Sequence, residues 1–166
     1  MILSFVMMGM TVGLRTMTAM AVLCWCAWLA FLPQHGWAFW VGSLVSVIVF
    51  TIAAVGEWVV DTLPSTPSRT SAGPLAARIV FGALVGALSA HAVIEPAAGG
   101  AIFGVIGALI GTYGGHGVRM YWSKSLGKDL PVALMESGVT LMLAVFGAWE
   151  LHQTLKSALS FLHKTP

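Results

Sequence analysis

Three acids and three arginines lie near the ends of the apolar segments of this chain, where ionisable residues are uncommon. Glu57 and Asp61 stand four residues apart at the end of one apolar run, and Glu136 lies shortly inside another. Residues four apart share a helix face. An ionisable side chain at mid-membrane costs about 2.5–3.5 kcal/mol on insertion scales, so it normally faces the protein interior and has a partner. If these runs cross a membrane, the acids are candidates for an ion-binding or proton-carrying site.

The arginines Arg15, Arg69 and Arg78 lie at comparable depth. A guanidinium offers five N–H donors in a fixed fork, which carboxylates accept in pairs. We expect Asp61 to pair with Arg69 or Arg78 and to hold helix ends together. Glu57 and Glu136 lie deeper than their partners, and a carboxylate removed from water beside a second carboxylate takes up a proton or a small cation more readily. A purely structural hydrogen-bonded pair is the alternative.

The composition of the chain indicates the class of protein in which these charged groups are held. Of the 166 residues, 58% are hydrophobic and 8% charged, against about 25% charged in a soluble globular domain. The chain is therefore predicted to be an integral membrane protein, with the lipid bilayer as its main partner. The net charge of +2 contains no basic run, so nucleic acid is not an expected partner.

A spanning helix needs about 20 apolar residues, and residues 1–166 supply one membrane domain. We predict an all-α polytopic bundle of five spanning helices plus a short or re-entrant helix at the N-terminus. Pro64 and Pro67 fall in a polar linker over 64–73, and an interfacial amphipathic helix is expected over 154–164. The predicted apolar segments are 1–12, 17–32, 37–63, 74–93, 98–122 and 132–153.

Basic residues predict the orientation. If the segments alternate, five basic residues fall on one side and two on the other, which favours the first side as cytoplasmic. The linker 64–73 and the loop 123–130 are then cytoplasmic. The larger set is Arg69, Arg78, Arg119, Lys124 and Lys128, and the smaller set is Lys156 and Lys164.

Glycines recur at spacings of four in the third and fourth spanning segments, for example Gly82 and Gly86, and Gly107 and Gly111. Small residues at this spacing let helices approach closely in lipid. A homodimer through these faces is expected as a second use of the pattern, but spacing alone does not distinguish contacts within a chain from contacts between chains.

Signals for catalysis or a cofactor are missing from the sequence. The five histidines show no ligand spacing with one another or with Cys24 and Cys26, so neither a metal site nor a cofactor is predicted. No serine stands in a recognisable nucleophile motif. We therefore expect a protein that is not an enzyme.

Four stretches, GLRTMTAMAVL, GEWVVDTLPSTPSRT, PLAARIVFGALVGA and LPVALMESGV, occur in this order across nearly the whole chain. In this arrangement the chain resembles the small bacterial membrane family catalogued as domain of unknown function 4126. The resemblance implies a multi-pass protein of the bacterial inner membrane and implies no activity. The family pattern corresponds here to Gly13, Arg15, Glu57, Asp61, Pro64, Arg78 and Glu136.

Two functions follow from these patterns. The first is a small ion or solute transporter coupled to protons or cations, with Glu57 and Glu136 as the ion site and Arg15 as counter-charge or anion ligand. The second is a scaffold or lipid-binding membrane protein that transports nothing and whose polar layer is purely structural.

Overall fold

The computed structural model describes residues 1–61, 71–126 and 129–162, with side chains for 1–61, 71–122 and 132–160. Every regular element in these ranges is helical, which confirms the all-α fold class. The helices are α1 (Ile2–Leu14), α2 (Thr16–Trp28), a 3₁₀ helix (Gly36–Gly42), α3 (Leu44–Val60), α4 (Ala72–Ala92), α5 (Ala97–Leu126) and α6 (Asp129–Leu162).

Three of these helices, α4, α5 and α6, are long and apolar enough to cross a membrane. The 3₁₀ helix and α3 add a fourth span if the bent pair is counted as one. α1 and α2 are apolar but have only 13 residues each, or about 20 Å at 1.5 Å per residue. The structure therefore bears out a membrane protein with three or four spans by length and composition, and the finer count of five remains a prediction.

α1 and α2 form a hairpin whose tip is Arg15. Arg15 is the one residue between the two helices and has extended backbone angles, φ −145° and ψ 105°. Its side chain reaches Ala133 and Ser137 near the start of α6, whereas Phe31, after α2, meets His152 towards the end of α6. Met8 of α1 packs at Gly147 between these levels. Both short helices therefore run from the Arg15 level towards the opposite end of the bundle.

The segment predicted as one helix over 37–63 is broken in the structure. Ser43 has extended backbone angles, and its hydroxyl accepts a hydrogen bond from the backbone N–H of Ser46 at 3.1 Å. This N-cap satisfies an amide that a new helix start leaves open. It begins α3 at a bend of 62° from the 3₁₀ helix. The apolar run does not show this break, because serine is tolerated in either arrangement.

α6 is longer than its predicted segment. A spanning helix over 132–153 and a separate interfacial helix over 154–164 were expected, whereas one helix continues from Asp129 to Leu162. Apart from Pro131 near its start, this range contains no proline, and its two glycines, Gly138 and Gly147, do not interrupt it.

Close packing of α5 against α1 and α4 forms the centre of the bundle. A methyl group added to Gly9 of α1, or to Gly86 of α4, would meet the backbone of α5 at Gly104 or Gly100. Glycine is required at these positions because the helix backbones touch. The glycine pattern in these segments therefore has an internal use.

Candidate functional site

Arg15 is the most buried charged group that the structure describes, with a fully covered side chain. Its Nη1 donates to the Asp61 carboxylate at 2.7 Å and to the Glu57 carbonyl oxygen at 3.3 Å, both at the end of α3. Its Nη2 donates to the Ser137 hydroxyl at 2.9 Å and to the Ala133 carbonyl oxygen at 3.3 Å on α6. One side chain therefore joins the tip of the α1–α2 hairpin to two other helices.

The Glu57 carboxylate caps the start of α2. Its two oxygens accept hydrogen bonds from the backbone N–H groups of Thr16 at 2.8 Å and Met17 at 2.9 Å. A helix leaves its first amides without internal partners, and its dipole favours a negative charge there. α2 has no cap from its own side chains. Glu57 therefore supplies from α3 the cap that the local sequence lacks.

Asp61 completes this arrangement, which we call the Arg15 cluster: Arg15, Glu57, Asp61 and Ser137. The Asp61 side chain is 13% exposed and bonds to Arg15. Arg69, one of its predicted partners, lies outside the described residues. Arg78, the other, is buried in α4. The structure thus brings Arg15, Glu57 and Asp61 together. It adds Ser137, which the sequence did not predict as a site residue.

Glu136 has different surroundings. Its carboxylate lies 3.8 Å from Nη1 of Arg119 on α5, with side chains 10% and 19% exposed. Arg119 also donates from Nη2 to the Asp61 carbonyl oxygen at 3.1 Å, so this pair is adjacent to the Arg15 cluster. Sequence depth put Glu57 and Glu136 in one layer, and in the structure each has its own partners.

Arg119 and Glu136 line a groove of about 470 Å³ between α5 and α6, with α1 as its floor. We call it the α5–α6 groove. Its lining includes Met10 of α1 and Ile110 of α5, and does not include Glu57. Val118 and Met135 on its two walls are more than half exposed, so the groove opens to the outside between two apolar helix faces.

Arg119 and the groove are features that the sequence did not predict. The sequence indicated Arg119 only as one of the basic residues that predict the orientation. An available signal was the antiparallel order of α5 and α6, which puts residues shortly before the α5–α6 connection opposite residues shortly after it. That order makes Arg119 and Glu136 neighbours, although it does not reveal a gap between the helices.

At the opposite end of the bundle, histidine and glutamine side chains bond to backbone carbonyl oxygens. A ring nitrogen of His152 lies 2.7 Å from the Phe31 carbonyl oxygen, and a ring nitrogen of His91 lies 2.9 Å from the His35 carbonyl oxygen. Gln34 donates to the Leu88 carbonyl oxygen at 3.0 Å. These bonds link the turn after α2 to α4 and α6.

No group of three or more His, Cys, Asp or Glu residues suited to a metal ion occurs within the described part of the chain. Comparison with family models, with curated proteins and with solved structures finds no match for this chain. Function must therefore be inferred from the site itself.

Proposed function

We propose that this chain is a multi-pass membrane protein that binds a lipid, and that its buried polar layer is structural. The observation that carries the proposal is the α5–α6 groove. Its described lining is apolar except for the Arg119–Glu136 pair, and it opens between helix faces that suit a bilayer. Lipid sites need both an apolar channel for a chain and polar groups for a headgroup. The groove offers both.

The Arg15 cluster supports the structural half of the proposal. A buried charge is tolerated when it is paired and hydrogen-bonded. Arg15 has acceptors on two helices, and both Glu57 oxygens are bound to backbone amides. A carboxylate held in this way is committed to the fold, so the lipid-binding interpretation is favoured over the ion site at Glu57.

The membrane setting completes the proposal. We propose five spans plus the short α1, with residues 64–73 and 123–130 on the cytoplasmic side of a bacterial inner membrane. The bias of basic residues supports this orientation. We also propose membership in the family of domain of unknown function 4126. Three residues of that pattern, Arg15, Glu57 and Asp61, bond to one another or to the same helix start, which supports a common structural reason for it.

Lipid retention tests the proposal. Gly114 lines the groove and a Cβ there would meet nothing within 4 Å, whereas Gly117 on the same helix is equally open but is not part of the lining. Gly114→Leu should fill the groove, and Gly117→Leu is the matched control. Native mass spectrometry of protein released from mild detergent should show bound phospholipid on the wild type and on Gly117→Leu, and little on Gly114→Leu. Equal lipid on all three proteins would contradict the proposal.

Transport coupled to protons or cations is the second candidate, favoured by the position of the Glu136 carboxylate on an open groove. In this case Glu136 is the ion-carrying group. Purified protein in liposomes with an internal pH dye should then pass protons or a test cation, and Glu136→Gln should abolish the flux. No flux above that of empty liposomes would rule this candidate out for the ions tested.

A further inference from the structure

The polar part of the α5–α6 groove carries charges of both signs. Among the described lining residues, Arg119 is the one cation and Glu136 the one anion. Their charged atoms are 3.8 Å apart, which is longer than the 2.7–3.2 Å of a direct N–H···O hydrogen bond. A ligand group that offers an anion to Arg119 and a cation to Glu136 would form a charge-assisted bond with each side chain.

This charge pattern discriminates between headgroups. An anionic headgroup would satisfy Arg119 but would bring a like charge to Glu136, and a cationic amphiphile would do the reverse. Like charges at contact distance oppose binding. A headgroup with both a phosphodiester and an ammonium group matches both side chains.

The type of ammonium group is also restricted. A primary ammonium has three N–H donors for a carboxylate, whereas a quaternary ammonium has none and is usually held by a cage of aromatic rings. Trp122 is the one aromatic side chain among the described lining residues. The groove therefore suits a primary ammonium better than a trimethylated one.

The groove also has room for an acyl chain. Ile110 and Arg119, which both line it, are nine residues apart on α5, or about 14 Å along the helix. The described lining beyond Arg119 and Glu136 consists of apolar side chains, glycines and Trp122. A chain laid along α5 would contact these residues while its headgroup stays at Arg119.

We propose that the α5–α6 groove selects a phospholipid with a phosphoethanolamine headgroup, its phosphate on Arg119, its ammonium on Glu136 and an acyl chain along α5. This inference rests on the proposed lipid-binding function and names the lipid class. It assigns Glu136 a role in headgroup selection, which is separate from the retention of the acyl chain.

Competition between headgroups tests it. Wild type, Glu136→Gln, Gly114→Leu and Gly117→Leu are each equilibrated in mixed micelles with equal amounts of phosphatidylethanolamine, phosphatidylcholine and phosphatidylglycerol that have the same acyl chains. Bound lipid is then counted by native mass spectrometry. Wild type and Gly117→Leu should retain phosphatidylethanolamine about tenfold over the other two, as one charge-assisted bond of roughly 1.4 kcal/mol would give.

Glu136→Gln should retain less phosphatidylethanolamine than the wild type and lose the preference over phosphatidylglycerol, because the ammonium bond and the like-charge penalty are both gone. Equal retention of the three lipids by wild type, with loss in Gly114→Leu, would overturn the headgroup assignment and leave the lipid-binding function standing. Equal retention of phosphatidylethanolamine and phosphatidylcholine would overturn the ammonium bond to Glu136. Retention by Gly114→Leu equal to wild type would overturn the lipid-binding function itself.

Discussion

The Arg15 cluster and the polar part of the α5–α6 groove are built from the same residue types at the same end of the bundle. Each contains an arginine and at least one carboxylate. Arg15 is fully buried and donates to four acceptors on two helices. Arg119 is 19% exposed and lies 3.8 Å from its carboxylate. The first arrangement is closed by backbone groups, and the second faces an open space.

The difference shows that residue type and depth do not decide what a membrane carboxylate does. Glu57 meets the amides of a helix start, and those amides use both of its oxygens. Glu136 of α6 lies opposite Arg119 of α5, and a groove separates the two helices there. A helix start within the protein makes a carboxylate structural, and a gap between helices leaves one accessible.

The largest expected effect is on stability at the Arg15 cluster. Arg15→Met removes the donor for Asp61 and Ser137 and leaves the Asp61 carboxylate, which is 13% exposed, without this partner. The free energy of unfolding should fall by about 3 kcal/mol, the lower end of the range for breaking a buried pair. Unfolding in mixed micelles by increasing SDS, followed by circular dichroism, measures this change.

Arg119→Met is the matched control on the groove side. Arg119 is partly exposed and its ion pair is long, and it also donates to the Asp61 carbonyl oxygen. Its loss should therefore cost about 1–2 kcal/mol, less than the loss of Arg15. Equal losses for the two variants would mean that the two regions do not differ as described.

A second contrast lies on the two faces of α5. Gly104→Ala should destabilise by about 1–3 kcal/mol, because the added methyl group meets the backbone of α4 at Gly82 and Gly86 and overpacks the centre. Gly114→Ala, on the groove side, should be neutral or stabilising by about 0.5–1 kcal/mol, since alanine favours a helix over glycine. The same unfolding experiment measures both, and a loss at Gly114 as large as at Gly104 would argue against an open groove.

A smaller effect is expected at Ser137. Its hydroxyl accepts from Arg15 at 2.9 Å and donates to the Ala133 carbonyl oxygen at 2.9 Å. Ser137→Ala should cost about 1 kcal/mol, because Arg15 keeps its other acceptors and loses one hydrogen bond. Thr140→Val is the control, since it keeps the side-chain shape and, among the described residues, that hydroxyl bonds within α6, to the Glu136 carbonyl oxygen. If the two variants lose equal stability, the bond between Arg15 and Ser137 contributes little.

Much of the helical framework could be predicted from the sequence. The apolar runs indicate α4 and α5 to within a few residues, because long runs bounded by turn residues have few alternatives in a membrane. The break at Ser43 could not be predicted, since serine caps the start of one helix and is tolerated inside another. The continuation of α6 to Leu162 could not be predicted either, because the local pattern of residues does not decide between one long helix and two shorter ones.

At the site, the cost of burying charge selects Arg15, Glu57 and Asp61, and the structure brings these three residues together. This cost does not identify their partners. The cap on α2 consists of backbone amides, which have no signature in a sequence, and the groove is a property of the spacing between two helices. Depth alone therefore paired Glu57 with Glu136, although each has a different neighbour.

The most direct test of the contrast between the two carboxylates is one experiment with two readouts, stability and bound lipid, on Glu57→Gln and Glu136→Gln. In Glu57→Gln, the glutamine amide nitrogen cannot accept from an α2 amide, so stability should fall by about 1–3 kcal/mol while total lipid and its headgroup preference stay unchanged. In Glu136→Gln, stability should change by less than about 1 kcal/mol while the headgroup preference is lost. The reverse pattern, with Glu57→Gln stable and Glu136→Gln unfolded, would contradict the separation of a structural carboxylate from an accessible one.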